Sequence, residues 1–465
     1  MTSMTKIWFI NVINENRKRT VEISYSGLGT SYIASYIQKY GGFRDRVITE
    51  IGQSLGSNLV RKCNPDIVGI SSVTQNFNIA KEIGRKIKKE LDVPVIVGGH
   101  HITALPNNLT EHMDVAVLGE GEQTFLELLN AYEENGLDKS KLSEIDGIAY
   151  RYKNTLIITP RREPIRPLDK IPYPARDLLK IRSNNLYMFT SRGCPYKCVF
   201  CSSSAFWHGY RFFSAEYVVD EIKELIEKHN AKCINLYDDL FIANKKRLKK
   251  IAQLIRKEKL DQEVSFACLA RANLVDDETA SLLRSMNVKH VSLGLESGSE
   301  RILNYLKGGT VTVKQNENAV SILKKYKFHV DASFIIGSPT ETKEDCLQTL
   351  NFLKRSKIYG GETYVLLPFP GTGIWEYGKQ RGLLHDDMNW DNFEIYFEDN
   401  PSKRVITADN LSREELLDIF FLFKKEWNRR ARRHLVHFAI RRPNKVIPFI
   451  YKKIKEWINE ERRDI

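Results

Sequence analysis

Short apolar runs alternate with amphipathic stretches over the first 145 or so residues. "KIWFINV" (6–12), "RVITEIG", "PDIVGISSV" (65–73), "VPVIVGG" (93–99) and "DVAVLGEGE" (114–122) read as strands. The third is a short continuous apolar run, the pattern of a parallel strand buried on both faces. Between them, "GLGTSYIASYIQKYGG" (27–42), "NIAKEIGRKIKKEL" (78–91) and "QTFLELLNAYEEN" carry apolar residues at helical spacing. This alternation predicts an α/β domain over 1–145, built on an open, doubly wound, Rossmann-like parallel sheet. Ligands of such sheets bind at the carboxyl ends of the strands, which here read "SSVTQN", "GGHH" and "GEGE".

Residues 146–159 read as a β-hairpin around "KNT", and prolines 160, 164, 167, 172 and 174 then mark an extended linker, giving a 146–184 connection. A second alternating block covers 185–384. Its strands are "NLYMFTS", "KCINLYD", "VSFAC", "KHVSLGLE", "VDASFIIG" and "TYVLLPF". Six β/α units predict a partial (β/α)6 barrel of the TIM type, with working residues at the carboxyl ends of its strands. From 385 to 465 the strand pattern stops, and amphipathic basic helices split by Pro443 form a helical C-terminal region.

Hydrophobic content of 42% and charged content of 28% are those of a globular protein. No apolar run approaches the roughly 18–20 residues of a membrane span. The N-terminus lacks a signal-peptide layout, so a cytoplasmic protein is the expectation. The net charge is +13. Residues 421–465 hold 14 Lys/Arg against 5 Asp/Glu, so most of the excess belongs to the tail.

Three of the seven cysteines, Cys194, Cys198 and Cys201, fall in "TSRGCPYKCVFCSSS" directly after a predicted strand. Thiolates select zinc, copper or iron–sulfur. Structural zinc takes four ligands, and His208 is the one further candidate within ten residues. Three thiolates suit a [4Fe–4S] cluster with one open iron; three buried thiols, or zinc completed by a distant residue, are the alternatives. Cys63, Cys233, Cys268 and Cys346 sit in strand or helix patterns and read as core thiols.

A CxxxCxxC motif after the first strand of a six-unit barrel resembles the radical S-adenosylmethionine (radical SAM) enzymes. "NLYDDLF" (235–241), "ARANLVDDETASLLRSMNVKHVSLGLESGSERIL" (270–303) and "FIIGSPTET" (334–342) extend the resemblance through the second block. The resemblance implies that Cys194, Cys198 and Cys201 ligate three irons and that S-adenosyl-L-methionine chelates the fourth. Reductive cleavage would then give a 5′-deoxyadenosyl radical that abstracts hydrogen from a substrate. It also implies S-adenosylmethionine contacts from Glu296, Arg271, Asp238, Asp239 and Gly337. Surface ion pairs for Glu296 and Arg271, and a helix cap for one of the aspartates, are the alternatives.

The first block resembles the cobalamin-binding domain that precedes many radical SAM barrels, through "PDIVGISSVTQNFNIAKEI", "VPVIVGGHHITALPN" and "DVAVLGEGEQTFLEL". The DxHxxG segment, whose histidine binds cobalt from below, is absent. The resemblance implies a corrinoid beside Gly27, Gly29, Ser71, Ser72, Thr74, Gly98, Gly99, Gly119 and Gly121. The alternatives are turn glycines and a vestigial domain. Of His100 and His101, one is a candidate for the cobalt face and both are candidates for ordinary loop histidines. A second cluster of the methylthiotransferase kind is not expected, because this block has only Cys63.

The whole is similar to cobalamin-dependent radical SAM methyltransferases and to the anaerobic cyclase type. That implies methylation of an unactivated carbon, or an oxidative cyclisation or rearrangement; a non-catalytic sensor is the reading from another class. Expected partners are a small-molecule or lipid-like substrate and an electron donor such as flavodoxin or ferredoxin. For the basic, aromatic tail three readings stand: a cap on the barrel, peripheral contact with an anionic membrane, or nucleic-acid binding without a recognition module.

Overall fold

The computed structural model describes residues 5–14, 27–42, 47–52, 64–179, 183–399 and 401–441. The first sheet contains β1 (Ile7–Val12), β2 (Val47–Gly52), β3 (Ile67–Ser71), β4 (Val95–Gly98), β5 (Val115–Val117), β6 (Ile148–Tyr152) and β7 (Thr155–Ile158), in the order β2-β1-β3-β4-β5-β6-β7. The first five are parallel. All six residues of β1 are buried, as a central strand covered on both faces requires. Gly69 stands opposite Phe9 in the register, and a Cβ there would come within 2.6 Å of the Phe9 ring. Glycine at 69 is what lets Phe9 pack on Phe125.

The hairpin β6–β7 turns at Lys153 and Asn154, both at positive φ, as a two-residue turn of type I′ demands. It pairs antiparallel with β5. The hairpin therefore belongs to the first sheet rather than to the connection expected over 146–184. Ladder hydrogen bonds left open on β5 decide this, and they are invisible in the sequence.

The second sheet contains β8 (Asn185–Met188), β11 (Cys233–Leu236), β12 (Ser265–Ala270), β13 (Val288–Glu296), β14 (His329–Ile336) and β15 (Gly360–Val365), in the order β15-β14-β13-β12-β11-β8, all parallel. The strand count and order are those of a partial barrel. A two-stranded ladder, β9 (Ser191–Arg192) with β10 (Arg211–Phe212), lies above β8. The helices start on capping residues: Ser214, Asn244, Asp276, Thr312 and Thr342 each accept a backbone N–H three residues on. Thr312 with Gln315 and Thr342 with Asp345 form capping boxes.

Beyond β15 the chain returns to the first domain. Trp375, Trp390 and Phe393 join the core that holds Trp8, Phe77 and Ile102. Residues 385–399 therefore do not form part of a separate tail. The helix Arg413–Arg441 then packs Leu416, Ile419, Phe420 and Phe423 into the barrel core. Arg430 donates to the carbonyls of Ser356 (3.2 Å), Leu353 and Ile358, capping the helix Lys343–Arg355 at its carboxyl end. Up to His434 the tail is thus a cap on the barrel. Pro443 and the basic segment after it lie outside the described residues, as does Cys63. No described helix is long and apolar enough to cross a membrane.

Candidate active site

The three cysteines occupy the loop between β9 and β10, and buried polar groups hold the base of that loop. Asp238, at the end of β11, accepts from Thr190 N and Oγ1 at 2.5 Å each and from Ser191 Oγ at 2.6 Å. Arg247 donates to Thr190 O (2.6 Å) and Phe213 O (2.8 Å), joining the two ends of the loop. Gly193, at φ +81°, starts the loop; a Cβ there would sit 2.2 Å from Gly209 O.

Cys194, Cys198 and Cys201 are half-buried and none is in a disulfide. Burial raises all three thiols, Cys201 to about 11, while Lys307 and Arg271 beside Cys198 oppose the shift. Cys198 lies near enough to both of the others to raise them further, so the three share one site. Their sulfurs do not converge as zinc ligands would. Among the described residues the one trio with ligand atoms all within 4.8 Å lies elsewhere, at His290, His329 and Asp331, whereas thiolates around one zinc ion stand about 4 Å apart. Half-open, unpaired thiols at wider spacing fit a multinuclear cluster.

Glu296 ends β13 at φ +59°. Its Oε1 lies 3.1 Å from Lys307 Nζ, which also donates to Gly294 O at 2.6 Å. Glu296 is thus paired with a lysine, but the pair is buried and beside Cys198 rather than on the surface. Arg271 stacks 3.7 Å over Tyr196 in the cysteine loop and donates to Thr310 Oγ1 at 2.6 Å and Asn273 Oδ1 at 2.9 Å. It is buried, not a surface ion-pair residue.

Asp238 and Asp239 part company. Asp238 is fully buried and occupied by Thr190 and Ser191, so it holds the loop and is not turned to a ligand. It caps no helix either. Asp239 faces the cavity described next and accepts from Ser203 Oγ at 2.5 Å. Gly337, at φ +82°, lies against Leu416 of the C-terminal helix, where a Cβ would come within 3.1 Å of Leu416 Cδ2. It is not brought to the cavity.

A cavity of about 530 Å³ separates the strand ends of the first domain from the cysteine loop. Gly27, Gly29, Ser71, Ser72, Gly98, Gly99, Gly119 and Gly121 all line it from one side. Ser202, Ser203, Phe206 and Trp207, just after Cys201, line it from the other. Thr74 departs from the expected set: its hydroxyl is buried 3.3 Å from His101 Nδ1. Gly29 and Gly119 have open space where a Cβ would project, so the wall is a cradle that larger residues would fill. At Gly99, φ +111°, a Cβ would strike Ser72 O at 2.2 Å.

The two histidines also divide. His101 is fully buried, bonded to Asn108 Oδ1 at 2.9 Å and packed on Phe77 at 3.9 Å. It is a core residue. His100 lines the cavity, stacks on Phe206 at 4.1 Å, and burial pulls it down to about 4, so it stays neutral at neutral pH.

Comparison with known proteins agrees with this arrangement. Residues 188–353 match the radical SAM superfamily and residues 19–129 the B12 binding domain. A protein of Pyrococcus horikoshii named "Uncharacterized methyltransferase PH0819" is 35% identical over 80% of this chain and 82% of its own length. The chain belongs to the radical SAM enzymes that carry a B12-binding domain. The anaerobic magnesium-protoporphyrin IX monomethyl ester cyclase of Rubrivivax gelatinosus is 29% identical over 83% of this chain and 71% of the cyclase.

Among solved structures, the methyltransferase TsrM of Kitasatospora setae superposes with TM-score 0.65 at 19% identity, covering 81% of this chain and 75% of TsrM. The cobalamin-dependent radical enzyme OxsB superposes at 0.63 with 22% identity, over 76% of this chain and 52% of OxsB. These two likenesses bear on the fold. The cofactors of this radical SAM enzyme are a [4Fe–4S] cluster, S-adenosylmethionine and cobalamin. Its activity is of the cobalamin-dependent methyltransferase or cyclase type.

Several residues of the site carried no signal in the sequence. Tyr32, Phe189 and Tyr237 line the cavity from three separate segments. Phe206 and Trp207 had one available cue, their place five and six residues after the last cysteine in an otherwise small-residue stretch.

Proposed function

We propose that this enzyme methylates an unactivated carbon of a small molecule held between the first domain and the cysteine loop. One observation carries the reading: the glycine-lined strand ends and the loop that bears Cys201 face each other across a single cavity. When bound, the cluster with S-adenosylmethionine supplies a 5′-deoxyadenosyl radical, and cobalamin supplies a transferable methyl group.

The chain's own part is to hold and seal. Cys194, Cys198 and Cys201 are the cluster ligands, Glu296, Lys307 and Arg271 surround Cys198, and Asp239 borders the shared space. Phe189, Phe206, Trp207 and Tyr237 line that space with aromatic surface and keep water from it. Neutral His100 presents an uncharged imidazole to the same cavity.

The stoichiometry of this reading is one substrate C–H, two S-adenosylmethionine and two electrons in. It returns one C–CH3, one 5′-deoxyadenosine, one methionine and one S-adenosylhomocysteine. A one-electron donor of the flavodoxin or ferredoxin class supplies the electrons. The likeness to the cyclase favours a second reading, oxidative ring closure without methyl transfer.

Product analysis under anaerobic reducing conditions separates the two. S-adenosylhomocysteine formed in step with 5′-deoxyadenosine supports methylation, and 5′-deoxyadenosine alone supports cyclisation. Neither product, with both cofactors loaded and candidate porphyrin and small-molecule substrates supplied, would favour a sensor.

A further inference from the structure

A trio of metal-ligating side chains lies at the other end of the barrel from the cysteines. His290 is near the start of β13, and His329 is the first residue of β14. The parallel register sets them directly side by side. Asp331 follows His329 by two, so it projects from the same face of β14. Along β13, His290 stands six residues before Glu296, about 20 Å at strand rise. The trio is therefore no part of the cofactor cavity.

Its geometry goes beyond a single ion pair. The ligand atoms of all three side chains lie within 4.8 Å of one another, the one such trio among the described residues. His290 Nε2 is 2.7 Å from Asp331 Oδ2, and His329 Nε2 is 3.3 Å from Asp331 Oδ1. At that distance both rings are paired with the Asp331 carboxylate by hydrogen bonds. The three ligand atoms converge as they would around a shared cation, which would take the place of the ring protons in those contacts.

The surroundings agree. Gly360 leaves the space that Asp331 fills, since a Cβ there would come within 2.3 Å of Asp331 Oδ1. The neighbouring ammonium of Lys324 sits 3.5 Å over the Tyr359 ring rather than in an ion pair with Asp331. His434 of the C-terminal helix lies edge-on to His329, with ring centroids 5.7 Å apart.

We propose that His290, His329 and Asp331 bind a divalent first-row transition metal, with zinc(II) as the representative ion. Two histidines and one carboxylate are a recurrent ligand set for zinc and for iron(II), with remaining positions open to solvent. The ion would tie β13 to β14 at the base of the barrel, beside the helix that caps it.

The test is zinc(II) titration of the full-length protein against a chromophoric chelator. It is done with the cluster reconstituted and again in the Cys194→Ala/Cys198→Ala/Cys201→Ala variant, so that thiols do not capture the zinc. One zinc per chain in both forms is expected. His290→Gln and Asp331→Asn should each weaken binding at least tenfold while the iron content of the reconstituted protein stays unchanged, which reports an intact barrel. X-ray absorption at the zinc edge should show a nitrogen and oxygen shell with two imidazoles. No saturable binding in the cysteine-free variant overturns the proposal, as does sulfur in the shell. If His290→Gln loses iron through misfolding, the near-isosteric Asp331→Asn decides, and unchanged zinc affinity there overturns the site.

Discussion

Arg192, two residues before Cys194, places Nη1 3.4 Å from Oε1 of Glu120 in the first domain. The same guanidinium is bonded to Glu122, and Glu120 also holds Arg211 at the far end of the cysteine loop. Glu120 and Glu122 come from "GEGE", whose glycines line the cofactor cavity. One loop of the first domain thus clamps both ends of the cysteine loop through buried charge.

Removing one partner of a buried pair leaves the other uncompensated, at a cost of about 3–5 kcal/mol. Arg192→Met is therefore expected to lower the unfolding midpoint and to cut turnover at least tenfold. Replacing Glu122 as well should restore part of the stability but not the turnover. Chemical denaturation and a 5′-deoxyadenosine assay on the single and double variants measure the two effects separately.

Cys194→Ala/Cys198→Ala/Cys201→Ala should abolish iron incorporation and leave cobalamin binding within a few-fold of the parent. The cavity wall that holds the glycines stands on a separate sheet. Iron, sulfide and corrinoid counts on anaerobically purified protein read this directly. Loss of corrinoid together with iron would mean that the loop itself supports the first domain's ligand.

Gly29 sits in the first turn of the helix Leu28–Tyr40, exposed, with nothing within 4 Å of a projected Cβ. Gly29→Ala should be neutral or stabilising by up to about 1 kcal/mol, the helix-propensity difference. Gly29→Phe projects a ring into the cavity and should weaken cobalamin binding tenfold or more with iron content unchanged. Ultraviolet–visible titration with the corrinoid compares the two variants.

Glu341 is fully buried, accepts from Ser338 N at 2.9 Å, and burial pushes it up to about 7. A carboxyl raised in the folded state binds its proton more tightly there than in the unfolded chain. Its stabilising contribution is complete below the ordinary value near 4.5 and is lost as pH rises through about 7. The span corresponds to on the order of 3 kcal/mol. Glu341→Gln should flatten the fall in stability between those limits and leave the variant more stable than the parent at pH 8. Urea midpoints across the range, compared between the two proteins, decide it.

Much of this molecule was legible from residue order because its signals are local. Cysteine spacing needs no fold to be read, and neither does the alternation of apolar runs with helical stretches. Glycines at successive strand ends converge in a parallel sheet by the geometry of the sheet itself, and eight of the nine cavity positions expected came together. Thr74 failed because its hydroxyl found His101, a partner set by packing.

Tertiary structure decided what depends on partners distant in sequence. Asp238 and Asp239 are adjacent and chemically identical; burial beneath Thr190 and Ser191 made one a brace, and an open wall left the other facing the cavity. His100 and His101 were separated in the same way. The hairpin went to the first sheet because β5 offered an unpaired edge, and residues 385–399 returned to the first domain because Trp390 and Phe393 found apolar surface there. A sequence carries a residue's chemistry and its phase along a helix or strand. Which neighbour spends that chemistry is settled only when segments far apart in the chain exclude water together.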